Sequence, residues 1–183
     1  MKTRLFLLST LLLISFVAFS QETPKPASAI MDEAYKQAAA EKKNVLVVFH
    51  ASWCGWCKKF EASINDPSCK DFFDKSFVIA RLDVLEQPAK KSLENEGATE
   101  FFHKYAGETS GIPFFLIFDK KGKLLADSRM KVAGAAPEKA LQNMGCPASE
   151  EEVAAFIGIL KKTSKINKEE SAAITERFKK NKN

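Results

Sequence analysis

The sequence predicts a small α/β protein, a central mixed β-sheet flanked by helices on both faces, with extra C-terminal helices. Three observations carry that reading. A continuous β-branched and aromatic run over 45–49 lies between two helical patterns, as a strand buried on both faces would. A second run over 77–84 also follows helical sequence, so these two strands should pair in parallel through a crossover. A third run over 112–118 turns at Asp119, Lys120, Lys121 and Gly122 into 123–128, a hairpin that adds an antiparallel pair.

Each element has its own signal. Over 29–43, Ile30, Ala34, Ala38 and Ala39 recur at helical spacing, and Asn44 is the expected breaker. Phe60 and Ile64 carry a helix to about residue 65. Asp66 and Pro67 then have the residue types of an N-cap and first helical position, which predicts a short helix restarting there. Leu93, Phe101, Phe102 and Tyr105 predict helical pieces on either side of Gly97. Ser149 with Glu152 is a capping box opening a helix over 150–162, and a last amphipathic helix runs over 168–180. The expected organisation is a leader over 21–28, one domain over 29–163 and a helical extension over 164–183. The 15 phenylalanines are assigned to core packing.

Composition bounds the function. With 183 residues, 45% hydrophobic and 28% charged, the chain has room for about one domain and is neither collagen-like nor wholly disordered. A net charge of +5, without basic runs interleaved with aromatics, gives no reason to expect a nucleic-acid partner. Lys2 and Arg4 precede an apolar stretch over 5–19, and Ala18 and Ser20 are small residues at the −3 and −1 positions. The expectation is a signal peptide over 1–20, cleaved after Ser20. The apolar stretch is shorter than the roughly 20 residues of a membrane span. The signal peptide is then the sole membrane contact, and the mature protein is periplasmic or secreted.

Four cysteines, Cys54, Cys57, Cys69 and Cys146, are too sparse for a disulfide scaffold, yet two are separated by only two residues. Such a pair is half of a zinc site, a redox pair or chance. Zinc needs two further ligands, and Cys69, Cys146, His50 and His103 supply no second close pair, so no metal or other cofactor is expected. The redox reading gains from position, because the pair sits where a buried strand gives way to a helix. There Cys54 meets unpaired backbone N–H groups and the positive end of the helix dipole, which favour a thiolate.

The segment from Val47 through Trp53-Cys54-Gly55-Trp56-Cys57-Lys58 to Phe60, with the distant Gly111-Ile112-Pro113-Phe114-Phe115, resembles the thioredoxin superfamily. Within it the chain is similar to exported thioredoxin-like proteins and to the C-terminal domain of periplasmic disulfide-interchange reductases. The resemblance implies a thioredoxin-like fold. It makes Cys54 the attacking thiolate, Cys57 the resolving thiol, and Pro113 a cis-proline beside them. Ile112 would offer its backbone to an extended substrate, with Trp53, Gly55 and Trp56 completing the substrate face. One position departs from the pattern. Many thioredoxins bury an aspartate six residues before the first cysteine, and this chain has Val48 there. Glu61, one helical face along from both cysteines, is either the substitute acid or a solvated glutamate near Lys58.

His50 is read as a satisfied structural histidine rather than a proton shuttle, and His103 as a surface residue. A Cys69–Cys146 bridge would close a long loop, contributing about 4 kcal/mol in the chain-entropy model, but small buried free cysteines are common. The expected function is an exported thiol-disulfide oxidoreductase, monomeric, acting on protein disulfides and supplied by a membrane thiol-disulfide electron donor. An oxidase or isomerase of the same fold is the nearest alternative, and a non-catalytic binding module the next.

Overall fold

The computed structural model describes residues 23–132, 134, 136 and 140–182, so the expected signal peptide lies outside the described residues. The chain forms α1 (Ala27–Glu41), β1 (Asn44–His50), α2 (Gly55–Ile64), α3 (Lys70–Ser76) and β2 (Phe77–Asp83). A 3₁₀ helix, Pro88–Leu93, precedes α4 (Ala98–Ala106), and the hairpin β3 (Phe114–Phe118) and β4 (Leu124–Asp127) follows. Two short strands, β5 (Arg129–Lys131) and β6 (Leu141–Asn143), lead to α5 (Glu150–Thr163) and α6 (Lys168–Lys179).

The main sheet has the order β2-β1-β3-β4. β1 pairs in parallel with β2 and antiparallel with β3, so it is flanked on both edges. That position explains why β1 reads as an unbroken apolar run: alternate residues feed two separate cores. Leu46 and Val48, with Phe115 and Ile117 of β3, face α2, α3, α5 and α6. Val45, Val47 and Phe49, with Phe114, Leu116 and Phe118, face α1 and α4. The first core is aromatic-rich, with Phe60 and Phe156 in ring contact with each other and each with Phe115 and Phe178. Phenylalanine is core material here, as composition suggested.

Two local readings are corrected, and one element is new. α1 stops at Lys42 in a left-handed conformation, and Asn44 instead begins β1 and donates from its side chain to Thr163 O. The short helix does not restart at Asp66. Residues 66–69 form a turn in which Asp66 accepts from the Ser68 amide and hydroxyl, and α3 begins at Lys70. The β5–β6 ribbon was not foreseen, because each strand is three residues long, below any readable periodicity.

The last helix closes the first core against the back of α2. Ile174 and Phe178 are fully buried, Arg177 Nε donates to Asp66 Oδ2 at 2.8 Å, and Lys59 Nζ donates to Asn181 O at 2.9 Å. Capping boxes at Ser149/Glu152 and Asn167/Glu170 start α5 and α6. Because Phe178 touches both Phe60 and Phe156, Phe178→Ala is expected to lower the unfolding free energy by about 3–5 kcal/mol, measured by urea denaturation.

Candidate active site

β1 delivers its last residues to the rim of the sheet, and the chain turns over 51–54 into α2. Cys54 is the N-cap of α2 in extended conformation, and the Cys57 backbone N–H donates to its Sγ at 3.1 Å. A sulfur therefore occupies the acceptor position that serine or aspartate takes at other helix starts. Cys54 and Cys57 are joined by a disulfide with their Cα atoms 5.2 Å apart. Both cysteines are buried, whereas Trp53 and Trp56 beside them are about half exposed.

Two loops fix this turn. After β2, Glu86 accepts from both the Ser52 amide and the Ser52 hydroxyl, and Leu85 O accepts from Trp53 Nε1 at 2.9 Å. Leu85 has a φ of 54°, a left-handed conformation for a non-glycine residue, and Glu86 is a buried carboxylate at 6% exposure. Before β3, the Ile112–Pro113 peptide bond is cis and Ile112 O lies 3.7 Å from Cys54 Sγ. Asn143 of β6 donates to both Gly111 O and Pro113 O, so the ribbon braces the proline loop. A cavity of about 310 Å³ beside it is lined by Trp56, Ile112, Pro113, Asn143 and Met144 among others. Gly55 has open space where a Cβ would point.

A second cavity, about 540 Å³, opens behind the disulfide and includes Val48, His50, Cys57, Glu61 and Arg81 in its lining. Val48 is buried where the family pattern has an acid. Glu61 is on this wall, with its Oε1 taking Arg81 Nε at 3.0 Å, Arg81 Nη2, and Asn65 Nδ2 at 2.7 Å. His50 differs from its expected satisfied state. Its Nδ1 lies 3.5 Å from Asp83 Oδ1, and its Nε2 is buried without a hydrogen-bond partner among the described residues. His103 is half-buried on α4, away from both cavities.

The other two cysteines are free, and both are buried. Burial pushes the Cys146 thiol up to about 12 and raises Cys69 in the same direction, so neither is a ready thiolate at neutral pH. The sequence reading missed Arg81, Asp83, Glu86 and Asn143. Each acts across a fold contact of at least a dozen residues' separation, for which local spacing carries no signal.

Fold and pair together define a thioredoxin-type dithiol/disulfide centre. The chain belongs to the thioredoxin-like family, which matches residues 27–120, just over half its length. Protein disulfide-isomerase A3 of Gallus gallus is 30% identical over 84 residues, covering 45% of this chain and 17% of that protein. Thiol:disulfide interchange protein DsbD of Photorhabdus laumondii is 28% identical over 89 residues, covering 48% of this chain and 14% of that protein. This chain thus matches less than a fifth of the length of either. A solved disulphide isomerase from Xylella fastidiosa Temecula1 superposes with a TM-score of 0.46 at 22% identity, covering 55% of this chain and 72% of the other.

The Asp83 carboxyl is raised above its ordinary value of 3.8, chiefly by burial. His50 opposes the rise, and Glu86 and Glu94 add to it. An ionised Asp83 therefore costs the folded state stability at neutral pH, and that cost vanishes once both states are protonated below 3.8. Asp83→Asn is expected to raise the urea midpoint at pH 7 and to lose that gain as the pH falls below the ordinary carboxylate range.

Proposed function

We propose that the protein is an exported thiol-disulfide oxidoreductase that reduces or shuffles the disulfides of protein substrates. The observation that carries this reading is the Cys54 sulfur at the start of α2, held by the Cys57 amide and bonded to the Cys57 sulfur. In the reduced protein, Cys54 attacks a substrate disulfide and releases one substrate thiolate. Cys57 then attacks Cys54 Sγ, re-forms the internal disulfide and releases the second. Two electrons pass from the dithiol to the substrate.

Trp53, Gly55, Trp56, Ile112 and Pro113 surround the sulfur and form the substrate face. The Ile112 carbonyl lies beside Cys54, where an extended segment can pair with the backbone, and the cavity next to Pro113 accepts a side chain. Glu61 stands on the far side of Cys57 as one candidate for the proton acceptor. Export rests on the N-terminal charge and apolar pattern. A reductant working outside the cytoplasm needs a supply of electrons, and a membrane thiol-disulfide carrier is the donor class that fits. The names of the matched relatives, a disulfide isomerase and an interchange protein, agree with exchange chemistry in general.

Insulin-disulfide reduction with dithiothreitol tests the catalytic reading. The wild-type chain is expected to accelerate precipitation of the insulin B chain, and Cys54→Ser to fall to the uncatalysed rate. Equal activity in both would reduce the pair to a structural staple. Cys57→Ala is expected to accumulate mixed disulfides that collapse on reduction. Family potentials run from about −270 to −120 mV, so a value above about −150 mV would place the protein among the oxidants instead.

A further inference from the structure

Resolution of the mixed disulfide has a chemical requirement that the family pattern does not meet in this chain. Cys57 must lose its proton before its sulfur can attack, and the neighbouring Val48 is apolar. On β1, residues two apart share a face, so His50 projects to the same side as Val48, toward α2. Both line the cavity that Cys57 also lines. In the parallel register, Arg81 lies opposite Val48 and Asp83 opposite His50.

The polar groups of that cavity differ in what they have free. Lys58 and Arg81 are cations. The Glu61 Oε1 is shared among three donors from Arg81 and Asn65, and the rest of its carboxylate is open to solvent. Outside the lining, both Glu86 oxygens are held by Ser52, and Glu94, the C-cap of the 3₁₀ segment, accepts from the Glu86 amide and Lys91. Of these groups His50 has an unpaired atom that is also buried: Nδ1 faces Asp83, while Nε2 is out of solvent with no hydrogen-bond partner among the described residues. An imidazole oriented through one nitrogen by a carboxylate, with the other left available, is the arrangement of a general base.

We propose that His50, oriented by Asp83, takes the proton of Cys57 across this cavity during resolution. This rests on the exchange reading above. The step balances. The Cys57 S–H proton passes to His50 Nε2, and the Cys57 thiolate forms the S–S bond to Cys54. The bond between Cys54 and the substrate sulfur breaks, and the departing substrate thiolate takes the proton from the imidazolium or from water. Asp83 acts through His50 and is a positioning residue. The charged groups around the imidazole and its Asp83 partner are Asp83 and Arg81 on β2, Lys58 and Glu61 on α2, and Glu86 and Glu94, which act on Asp83.

The test uses the full reduced chain and 5,5′-dithiobis(2-nitrobenzoate) in a stopped-flow instrument from pH 5 to 9. Attack by Cys54 releases the first thionitrobenzoate, and resolution by Cys57 releases the second, so the two steps are read separately. His50→Gln is expected to leave the first phase within twofold and to slow the second tenfold or more at pH 7, while flattening its pH profile. A tenfold loss is a lenient threshold, below the roughly 10²–10⁴-fold typical of general-base contributions. Asp83→Asn removes a negative charge beside the ring and is expected to move the midpoint of the second phase to lower pH. This second variant also covers the case in which His50→Gln does not fold, as judged by its urea midpoint. A smaller loss in His50→Gln, or a wild-type profile retained in either variant, overturns the proposal. So does a loss seen in Glu61→Gln instead. If the wild-type chain releases only one equivalent, the exchange reading itself fails, which is a distinguishable result.

Discussion

At the first turn of α2 the Cys57 amide has no carbonyl behind it and meets the Cys54 sulfur at 3.1 Å. A helix start must satisfy its leading N–H groups, and here a thiolate-forming atom is the acceptor. Much of the molecule serves to keep that sulfur in place. β1 ends where the turn must begin, the loop after β2 grips Ser52 and Trp53, and the proline loop closes the opposite side. α6 and Asn181 brace the back of α2, so the helix that carries Cys57 is tied to the largest apolar cluster.

The sheet determines what surrounds the second sulfur. Alternation along β1 places Val48 and His50 toward α2, and Val47 and Phe49 toward α4. The wall nearest Cys57 is therefore apolar at Val48 and polar at His50, Arg81 and Glu61, with Asp83 behind His50. Crowding Glu86 and Glu94 near a buried Asp83 works against folding, since burial and mutual repulsion hold the Asp83 carboxyl above its ordinary range. The core beneath is dense with phenylalanine, and it offsets what that crowding costs.

The strands buried on both faces were legible because an unbroken β-branched and aromatic run of five residues or more fits a buried strand and little else. The capping box at Ser149 was legible because its two residues are local. Cys54, Cys57 and Pro113 were legible through their motifs. Asn167 and Glu170 form an equally local capping box that the same rule would have found. The β5–β6 ribbon, the Glu86 grip on Ser52 and the Asn143 brace were not legible. Each depends on chain segments meeting in space, and their polar residues look like any solvated loop in sequence. The state of His50 was misread for the same reason. Whether a histidine nitrogen finds a partner is decided by which residue lies beside it in the next strand, and that is Asp83.

The most direct measurement is the pH dependence of Cys54 alkylation by iodoacetamide in the reduced chain, with modification located by mass spectrometry. If the start of α2 stabilises the anion, the rate will have reached its plateau by neutral pH. A rate still climbing through about pH 8.5, as an unassisted cysteine's does, would contradict that account.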